Sequence, residues 1–233
     1  MRMNDPQAVA AEYADESRFA VRAGAWARAS GRDAVALARA AVAEVDPQHV
    51  LEVGCGRGES AEWVATETRA EVVALDQSQR MVALTQARGI EAVVGDVAAP
   101  PFADSSFDCV LAAWMLYHLP DLDRGLEEIA RVLRPGGRLV AVTNCKRHTQ
   151  ELRELVGGTS AYTFNGENGE EILLRHFAAV ERRDAEGSVV FSPEEALAYI
   201  DASMSLWERT REPVIEAPIR VTKAPVVFIA TKA

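Results

Sequence analysis

Residues 50–59 read VLEVGCGRGE and carry three glycines within five positions, directly after an apolar run. Gly54, Gly56 and Gly58 leave the backbone without side chains where a strand would pass into a helix. A ligand can approach such a backbone closely, and the first turn of a helix offers N–H groups that have no partner within the helix. Tight turns without a ligand also use glycine, so the loop alone leaves both interpretations open.

The spacing of these glycines argues against a dinucleotide ligand. The dinucleotide fingerprint needs its third glycine at position 59, where this chain has Glu59. A carboxylate in the first turn of that helix would also repel a pyrophosphate. An NAD(P)-dependent oxidoreductase of Rossmann type is therefore the alternative enzyme rather than the preferred one.

Two acids follow the next two predicted strands: Asp76 in VVALDQSQRM and Asp96 in VVGDVAAPPF. A carboxylate at the end of the second strand can accept hydrogen bonds from both hydroxyls of a ribose. A carboxylate after the third strand can accept a hydrogen bond from an exocyclic amine. Each acid alone also fits an ordinary strand end or helix cap. Together with the glycine loop they predict a nucleoside that lies across three adjacent strand ends.

The elements that must position these residues alternate regularly along the chain. Predicted strands cover residues 50–53, 72–75, 92–94, 109–112 and 138–143, and predicted helices cover residues 59–68, 77–88 and 121–133. Strand and helix in strict turn imply right-handed crossovers around a parallel sheet. The sequence therefore predicts a doubly wound α/β fold, in which ligands bind beyond the carboxyl ends of the strands.

Composition and charge restrict the partners. The 233 residues, 48% of them hydrophobic, are enough for one domain with a sizeable core, and 25 Lys+Arg against 35 Asp+Glu leave a formal charge of -10. This negative charge disfavours binding to nucleic acid and to anionic membranes. No apolar run approaches the roughly 20 residues of a membrane span. We expect a cytoplasmic protein with a small-molecule partner. Three widely spaced cysteines suggest neither a disulfide framework nor a metal site.

Four motifs carry a family resemblance: VLEVGCGRGES, VVALDQSQRM, VVGDVAAPPFADSSFDCVLAAWMLYHL and LEEIARVLRPGGRLVAV. In this order and at these intervals they resemble the class I S-adenosylmethionine-dependent methyltransferases, in the group that acts mostly on small molecules. The resemblance is close over residues 48–143 and loose in the flanks. It implies S-adenosylmethionine as the cofactor. It also implies a Rossmann-like, seven-stranded, mostly parallel sheet with a C-terminal antiparallel hairpin and helical lid or cap elements.

The resemblance also implies a set of cofactor-binding residues. They are Glu52, Gly54, Cys55, Gly56, Gly58, Asp76, Gln77, Met81, Asp96, Val97, Ala112, Ala113 and Trp114. By this resemblance, Asp76 holds the ribose, Asp96 with the Val97 amide reads the adenine edge, and residues 112–114 pass beneath the methionine amino group. The cofactor has no phosphates, and an acid such as Glu52 suits its ammonium and sulfonium charges.

The predicted reaction demands little chemistry from the protein. A sulfonium is already an activated methyl donor, so aligning an acceptor and excluding water can supply most of the rate acceleration. Tyr117 and His118 are the candidate catalytic residues, although His118 would equally well only hydrogen-bond the loop. AAWM replaces the Asn/Asp-Pro-Pro-aromatic signature of enzymes that methylate DNA adenine or protein glutamine. We therefore expect a small, uncharged or cationic acceptor; a non-catalytic adenosylmethionine-binding protein is the other alternative.

The flanks are predicted to cover the site. Residues 1–46 form a helical lid segment in this prediction, residues 47–145 the cofactor-binding core, and residues 146–233 the C-terminal part of the same domain, with acceptor-side helices and the last two strands. Tyr13 and Arg18 in the lid would contact the cofactor, unless their helix is only a surface helix. The acceptor atom and the oligomeric state stay open.

Overall fold

The computed structural model describes residues 3–5, 7, 9, 16–158, 162–203 and 209–233. Its strands are β1 (His49–Val53), β2 (Glu71–Asp76), β3 (Glu91–Val94), β4 (Phe107–Ala113), β5 (Leu133–Asn144), β6 (Ala179–Asp184), β7 (Gly187–Phe191), β8 (Ile219–Lys223) and β9 (Pro225–Thr231). Its α-helices are α1 (Glu16–Ala25), α2 (Ala34–Ala43), α3 (Glu59–Thr68), α4 (Gln79–Gln86), α5 (Leu122–Val132), α6 (Gln150–Val156), α7 (Gly169–Leu173) and α8 (Pro193–Ala202).

Seven strands form the main sheet in the order β3-β2-β1-β4-β5-β9-β6. The first five are parallel, and β9 runs antiparallel between β5 and β6. This confirms the predicted doubly wound, mostly parallel sheet with an antiparallel pair at its C-terminal end. Because these strands are parallel, the loops after β1, β2, β3 and β4 lie at one edge of the sheet. The strand order reverses between β1 and β4, and this reversal opens a crevice at that edge.

Both faces of the sheet are buried, which explains why its strands read as continuous apolar runs. Val50 points to a core that α2, α3 and α4 complete, and the next residue, Leu51, points to the opposite core with α5 and α7. The alternation of side chains along β1 therefore serves two helical layers at once. Among the described residues, no helix is both long and apolar enough to cross a bilayer.

The fifth strand differs from its predicted bounds. It begins at Leu133, five residues before the predicted start at residue 138, and its pairing with β4 jumps from Phe107↔Leu133 to Cys109↔Arg138. The extra residues form a bulge in which Gly136 adopts a left-handed φ of 75°. The Arg-Pro-Gly-Gly segment is thus a bulge within an early strand rather than a turn before it.

A third, smaller core lies outside the main sheet. β7 and β8 pair into a separate two-stranded sheet, and their buried residues pack with α6, α8 and Trp26, just after α1. We call α1, α6, α8, β7 and β8 the cap. The sequence indicated helices here but not this second sheet, which separates β6 from β9 along the chain. α2, although within the predicted lid segment, packs on the main sheet, whereas α1 belongs to the cap.

Candidate functional site

The glycine loop between β1 and α3 is held in left-handed backbone conformations, with φ of 66° at Gly54, 53° at Gly56 and 75° at Gly58. A Cβ at Gly54 would lie 2.8 Å from the Met115 side chain, and one at Gly58 would lie 2.7 Å from the Thr85 side chain. At Gly56, by contrast, no described heavy atom lies within 4 Å of that position. Packing therefore explains the outer two glycines, and the middle one presents its backbone to open space.

Asp76 ends β2 and binds the loop directly. Its Oδ2 accepts from the Gly56 N–H at 2.9 Å, and its Oδ1 accepts from the Ser78 N–H at 2.9 Å. Burial raises the pKa of Asp76, and the backbone N–H groups of Ser78, Gly56 and Gln77 act in the opposite direction. The carboxylate is therefore fixed beside the exposed backbone of Gly56.

Cys55 and Thr85 connect the loop to α4. The Thr85 hydroxyl donates to the Gly56 carbonyl at 3.2 Å and lies 3.4 Å from the Cys55 Sγ. Burial raises the pKa of Cys55 to about 12, so this thiol stays protonated and is no nucleophile at neutral pH. Cys55 therefore supports the loop through its contact with Thr85.

Glu52 lies on β1, two residues before the loop, and is only 3% exposed. Burial raises its pKa to about 8, with a further rise from Asp76, while hydrogen bonds from Ala61 N–H and the Ser60 hydroxyl lower it. Its Oε2 is buried without a hydrogen-bond partner among the described residues. A carboxyl group in this state would gain from a cationic partner, which would supply both a donor and a counter-charge.

The adenine-side candidates follow β2 and β3, which are neighbours in the sheet. Asp96 is exposed, and its Oδ1 accepts from the Ala98 N–H at 2.9 Å. Val97 and Met81 are buried, and Gln77 is exposed at the end of β2. Two polar side chains thus flank two apolar ones, an arrangement that suits a flat heterocycle with polar edges.

Trp114 follows β4 with a left-handed φ of 53°, which is rare for a bulky residue and signals a constrained backbone. Two bonds hold it there: its N–H donates to Val142 O at 2.9 Å, and its Nε1 donates to Asn144 Oδ1 at 3.3 Å. Ala112 is fully buried in the core, and Ala113 is partly exposed beside the indole. The chain therefore turns sharply at the end of β4, which lies between β1 and β5 in the sheet.

Tyr117 and His118 lie in the short 3-10 turn Leu116–His118. The His118 Nδ1 is 2.8 Å from the Met3 carbonyl, which can only accept, so Nδ1 carries the proton and Nε2 is the basic nitrogen. The pKa of His118 is lowered to about 4. Burial is the main cause, the hydrogen bond with the Met3 carbonyl opposes it, and the Arg22 cation adds to the lowering. The imidazole is thus neutral at physiological pH.

Several polar residues on the acceptor side were not identified from the sequence. They are Arg22, Arg153, His148, Tyr162 and Tyr199. The ring of Tyr162 lies 4.8 Å from that of Tyr117, which places Tyr162 beside the predicted catalytic turn. Their positions come from α1, α6, α8 and loops far apart in the chain, so no local spacing could reveal them. Tyr13 lies outside the described residues, and Arg18 is partly exposed on α1.

A doubly wound sheet with a glycine loop after β1 and acids after β2 and β3 defines a Rossmann-like nucleoside-binding domain. Residues 51–141 match a family model described as a methyltransferase domain. A demethylmenaquinone methyltransferase of Renibacterium salmoninarum is 36% identical over 169 residues, which cover 72% of this chain and 63% of that protein. A fatty-acid O-methyltransferase of Mycolicibacterium smegmatis is 42% identical over 103 residues, 42% of this chain and 38% of that protein.

A solved structure extends the likeness of the fold to the whole chain. The Haemonchus contortus phospholethanolamine N-methyltransferase 2, in complex with phosphomonomethylethanolamine and S-adenosylhomocysteine, has a TM-score of 0.66 at 18% identity, over 100% of this chain and 60% of that one. These matches support the predicted likeness to the class I S-adenosylmethionine-dependent methyltransferases, with S-adenosylmethionine as the cofactor. The matched domain and the named relatives support the predicted methyltransferase class. The chain spans between about a third and just under two thirds of the first curated relatives it matches.

Proposed function

We propose that this chain transfers a methyl group from S-adenosylmethionine to a small-molecule acceptor by direct in-line displacement. The observation that carries the proposal is the Oε2 of Glu52. It has no hydrogen-bond partner in the described part of the chain, and it is buried beside a loop whose Gly56 backbone faces open space. An ammonium group next to this carboxyl oxygen would satisfy it. Relatives named for methyl transfer to demethylmenaquinone and to fatty acids support a small-molecule acceptor.

In this proposal the methionine end of the cofactor lies against Glu52 and the loop of residues 54–58, above Ala112, Ala113 and Trp114. The adenosine then runs along the edge toward β2 and β3. Its ribose hydroxyls bind Asp76, the adenine lies beside Gln77 and Met81, and its edge meets Asp96 and the Val97 amide. These placements rest on the shared edge of the sheet and on the donors and acceptors described above.

The bound cofactor supplies an activated methyl group, and the residues after β4 bring the acceptor to it. His118, neutral with a basic Nε2, can accept a proton from the acceptor or orient it by a hydrogen bond. Tyr117 forms an apolar wall beside Tyr162. Alignment at this position supplies most of the acceleration, because the leaving group departs as a neutral thioether.

The ends of the chain close the site in this proposal. The Met3 carbonyl contacts His118, so Met3 lies against the predicted catalytic turn. Within the predicted segment 1–46, we assign α1 and the residues before it to a lid whose Tyr13 and Arg18 approach the cofactor, whereas α2 packs on the main sheet. Residues 47–145 form the core, and residues 146–233 form the acceptor side. We further propose a cytoplasmic enzyme that binds neither nucleic acid nor membranes, in keeping with its charge of -10.

A thermal-shift comparison tests the function. S-adenosylmethionine and S-adenosylhomocysteine should raise the melting temperature, whereas NADH and NADPH should not. Turnover against a mixed set of small acceptors should then yield adenosylhomocysteine. Stabilisation by NADH alone would favour an oxidoreductase, and cofactor binding without turnover would favour a non-catalytic binding protein.

Glu52→Gln is expected to remove a pH dependence of stability. With a pKa of about 8, Glu52 keeps its proton in the folded chain at pH values where the unfolded chain has lost it. The free energy of unfolding of the cofactor-free protein should therefore fall as pH rises from the ordinary carboxyl pKa toward 8, by up to about 1.4 kcal/mol per pH unit. Urea denaturation across this range should show the slope in the wild type and a flatter one in the variant.

The same variant tests the contact with the cofactor. Binding of adenosylhomocysteine should release a proton from Glu52, which calorimetry in buffers of different ionisation enthalpy detects, and Glu52→Gln should bind about tenfold more weakly without that release. Glu67→Gln, an exposed position on α3, is the matched control. Equal affinity and equal proton release in the Glu52 variant would remove this residue from the site.

His118→Gln should lower the rate of single-turnover methyl transfer by less than about tenfold, because positioning rather than proton removal limits the reaction. Since the pKa of His118 is about 4, its titration should not change the rate of methyl transfer between pH 6 and 9. The size of the rate loss in the variant therefore decides whether His118 is a general base or a positioning residue. A lost general base would cost roughly 10²–10⁴-fold. His176→Gln, which removes a histidine paired with Asp123 at 2.9 Å, serves as the control.

A further inference from the structure

Two arginines and three tyrosines come together between the cap and the turn that carries His118. We call Arg22, Arg153, Tyr117, Tyr162 and Tyr199 the cap cluster. Arg22 on α1 donates to the Ala202 carbonyl of α8 at 2.7 Å. The rings of Tyr117 and Tyr162 lie 4.8 Å apart. Arg22 thus links α1 to α8, and Tyr162 lies against the predicted catalytic turn.

The other side of the cluster is formed by α6 and the loop after β5. Trp26 follows α1 and packs against His148 at 4.9 Å and Tyr199 at 5.5 Å between ring centroids. Arg153 donates to the carbonyl of the same His148. These contacts connect Arg153, on α6, through His148 and Trp26 to Tyr199 on α8.

Arg153 is a buried cation, 6% exposed. Its hydrogen bonds go to the carbonyls of His148 and Lys146 and to the Thr149 hydroxyl, which use three of the five N–H groups of a guanidinium. No carboxylate pairs with it among the described residues. Its neighbour Glu151 instead accepts from the Thr222 N–H at 2.9 Å.

This arrangement differs from that of other arginines in the fold. Carboxylates pair with Arg88, Arg124, Arg131, Arg134, Arg147, Arg175, Arg182 and Arg183. A buried charge that lacks such a partner costs several kcal/mol unless another group compensates it. Bracing residues 146–149 needs only hydrogen-bond donors. Glu151 and Glu154 act on the charge of Arg153 from nearby, but neither forms an ion pair with it among the described residues.

The electrostatics of the cluster agree with this geometry. Burial lowers the pKa of Arg22, and Tyr117, Tyr199 and Tyr162 oppose the shift. Burial also lowers the pKa of Arg153, and Tyr162 and Tyr199 are among the groups that oppose it. Both guanidinium groups therefore interact with the same two tyrosines, and an anion placed there would stabilise both charges.

We infer that the methyl acceptor carries an oxyanion, a carboxylate or a phosphate monoester, which Arg22 and Arg153 bind within the cap cluster next to His118. The inference rests on the proposed function and specifies its acceptor. Paired guanidinium donors suit the planar or tetrahedral oxygens of such groups, and the tyrosine hydroxyls can donate to the same anion. It departs from the uncharged or cationic acceptor expected from the sequence. The aromatic walls further favour an acceptor with a ring or another flat apolar part.

The test uses the full chain saturated with adenosylhomocysteine and follows tyrosine and tryptophan resonances by NMR titration. The probes are benzoate, phenyl phosphate, benzamide and benzylamine, which share a ring and differ in charge. At least one of the two anions should bind at least about tenfold more tightly than benzamide or benzylamine. Benzoate against phenyl phosphate then separates a carboxylate acceptor from a phosphate one.

Substitutions in the cap cluster test whether its arginines cause the preference for anions. Arg22→Met and Arg153→Met should each weaken binding of the preferred anion by about tenfold or more, and Arg153→Lys should retain part of it. Arg147→Met, which removes an arginine paired with Glu186 on the neighbouring loop, should not change it. If Arg153→Met fails to fold, Arg22→Met and Arg153→Lys carry the comparison.

Three results would overturn the inference: equal binding of benzamide and the anions, no binding of either anion, or anion affinities within about twofold of wild type in Arg22→Met and Arg153→Lys. Adenosylhomocysteine affinity, measured by calorimetry on the same samples, separates this failure from that of the proposed function. Intact cofactor binding with turnover of uncharged acceptors would refute the oxyanion alone. Loss of cofactor binding in the wild type would refute the methyltransferase proposal itself.

Discussion

Gly56→Val should abolish detectable binding of adenosylhomocysteine, a loss of at least about a hundredfold in affinity, while the chain still folds. The Cβ of a new side chain would meet no described heavy atom within 4 Å, so it would project into the space proposed for the cofactor rather than into the core. Its branched carbons would occupy the position of the ligand. Isothermal calorimetry gives the affinity, and circular dichroism gives the fold.

Left-handed backbone strain is the competing cause of a loss at this position, because φ at Gly56 is 53°. Gly136→Val imposes the same kind of strain, at φ 75° and likewise without a heavy atom within 4 Å, at the opposite end of β5. We expect this control to lose stability by about 1 kcal/mol or somewhat more but to keep its cofactor affinity. Unchanged affinity in folded Gly56→Val, or equal loss in both variants, would show that the loop does not contact the cofactor.

The part of the fold that the sequence predicts well is the part held together by neighbours in the chain. Helix α3 has the predicted bounds, since a glycine precedes it and polar residues face outward along its length. Helix α8 begins at a start signal that can be read in the sequence itself, a capping box between Ser192 and Glu195 with Pro193 in the first turn. Such signals act over a few residues, so they can be recognised without the fold.

The bulge at the start of β5 shows where local signals mislead. Pro135 and Gly136 predict a turn, and the chain does deviate there, yet Leu133 already pairs with Phe107 of β4. The strand is extended by a partner far away in sequence, which local propensity does not include. The same reason explains why the pairing of β7 with β8 was missed.

The candidate site divides in the same way. Glycine spacing and acids after strands are visible in the sequence because every parallel strand ends at one edge of the sheet. The state of each group is not visible, because it depends on burial. Met3 lies 115 positions before His118, and its carbonyl fixes the tautomer of that imidazole. Arg22 and Arg153 interact with the same tyrosines only because α1 packs on the C-terminal part of the chain.

Asp76→Ala should weaken adenosylhomocysteine binding by about 2–3 kcal/mol, roughly 30- to 150-fold, because two charge-assisted hydrogen bonds to the ribose hydroxyls would be lost. The Asp76 carboxylate can accept these two hydrogen bonds in addition to those it already accepts. Its oxygens accept from Gly56 and Ser78, and a carboxylate offers about four lone-pair sites. Calorimetry with adenosylhomocysteine and with its 2′-deoxy analogue measures the contact, and the analogue should lose its disadvantage in the variant.

Asp76 also braces the loop, so part of the loss could arise from a displaced Gly56 rather than from the ribose. Thr85→Val separates the two causes, since it removes the hydroxyl that donates to the Gly56 carbonyl at 3.2 Å and leaves the carboxylate in place. We expect this variant to lose less than about tenfold in affinity and to keep the full preference for adenosylhomocysteine over the deoxy analogue. If Asp76→Ala retains that preference, Asp76 supports the loop and some other group binds the ribose. A smaller preference in Asp76→Ala than in Thr85→Val assigns the ribose to Asp76, because only a group that touches the hydroxyl can sense its removal.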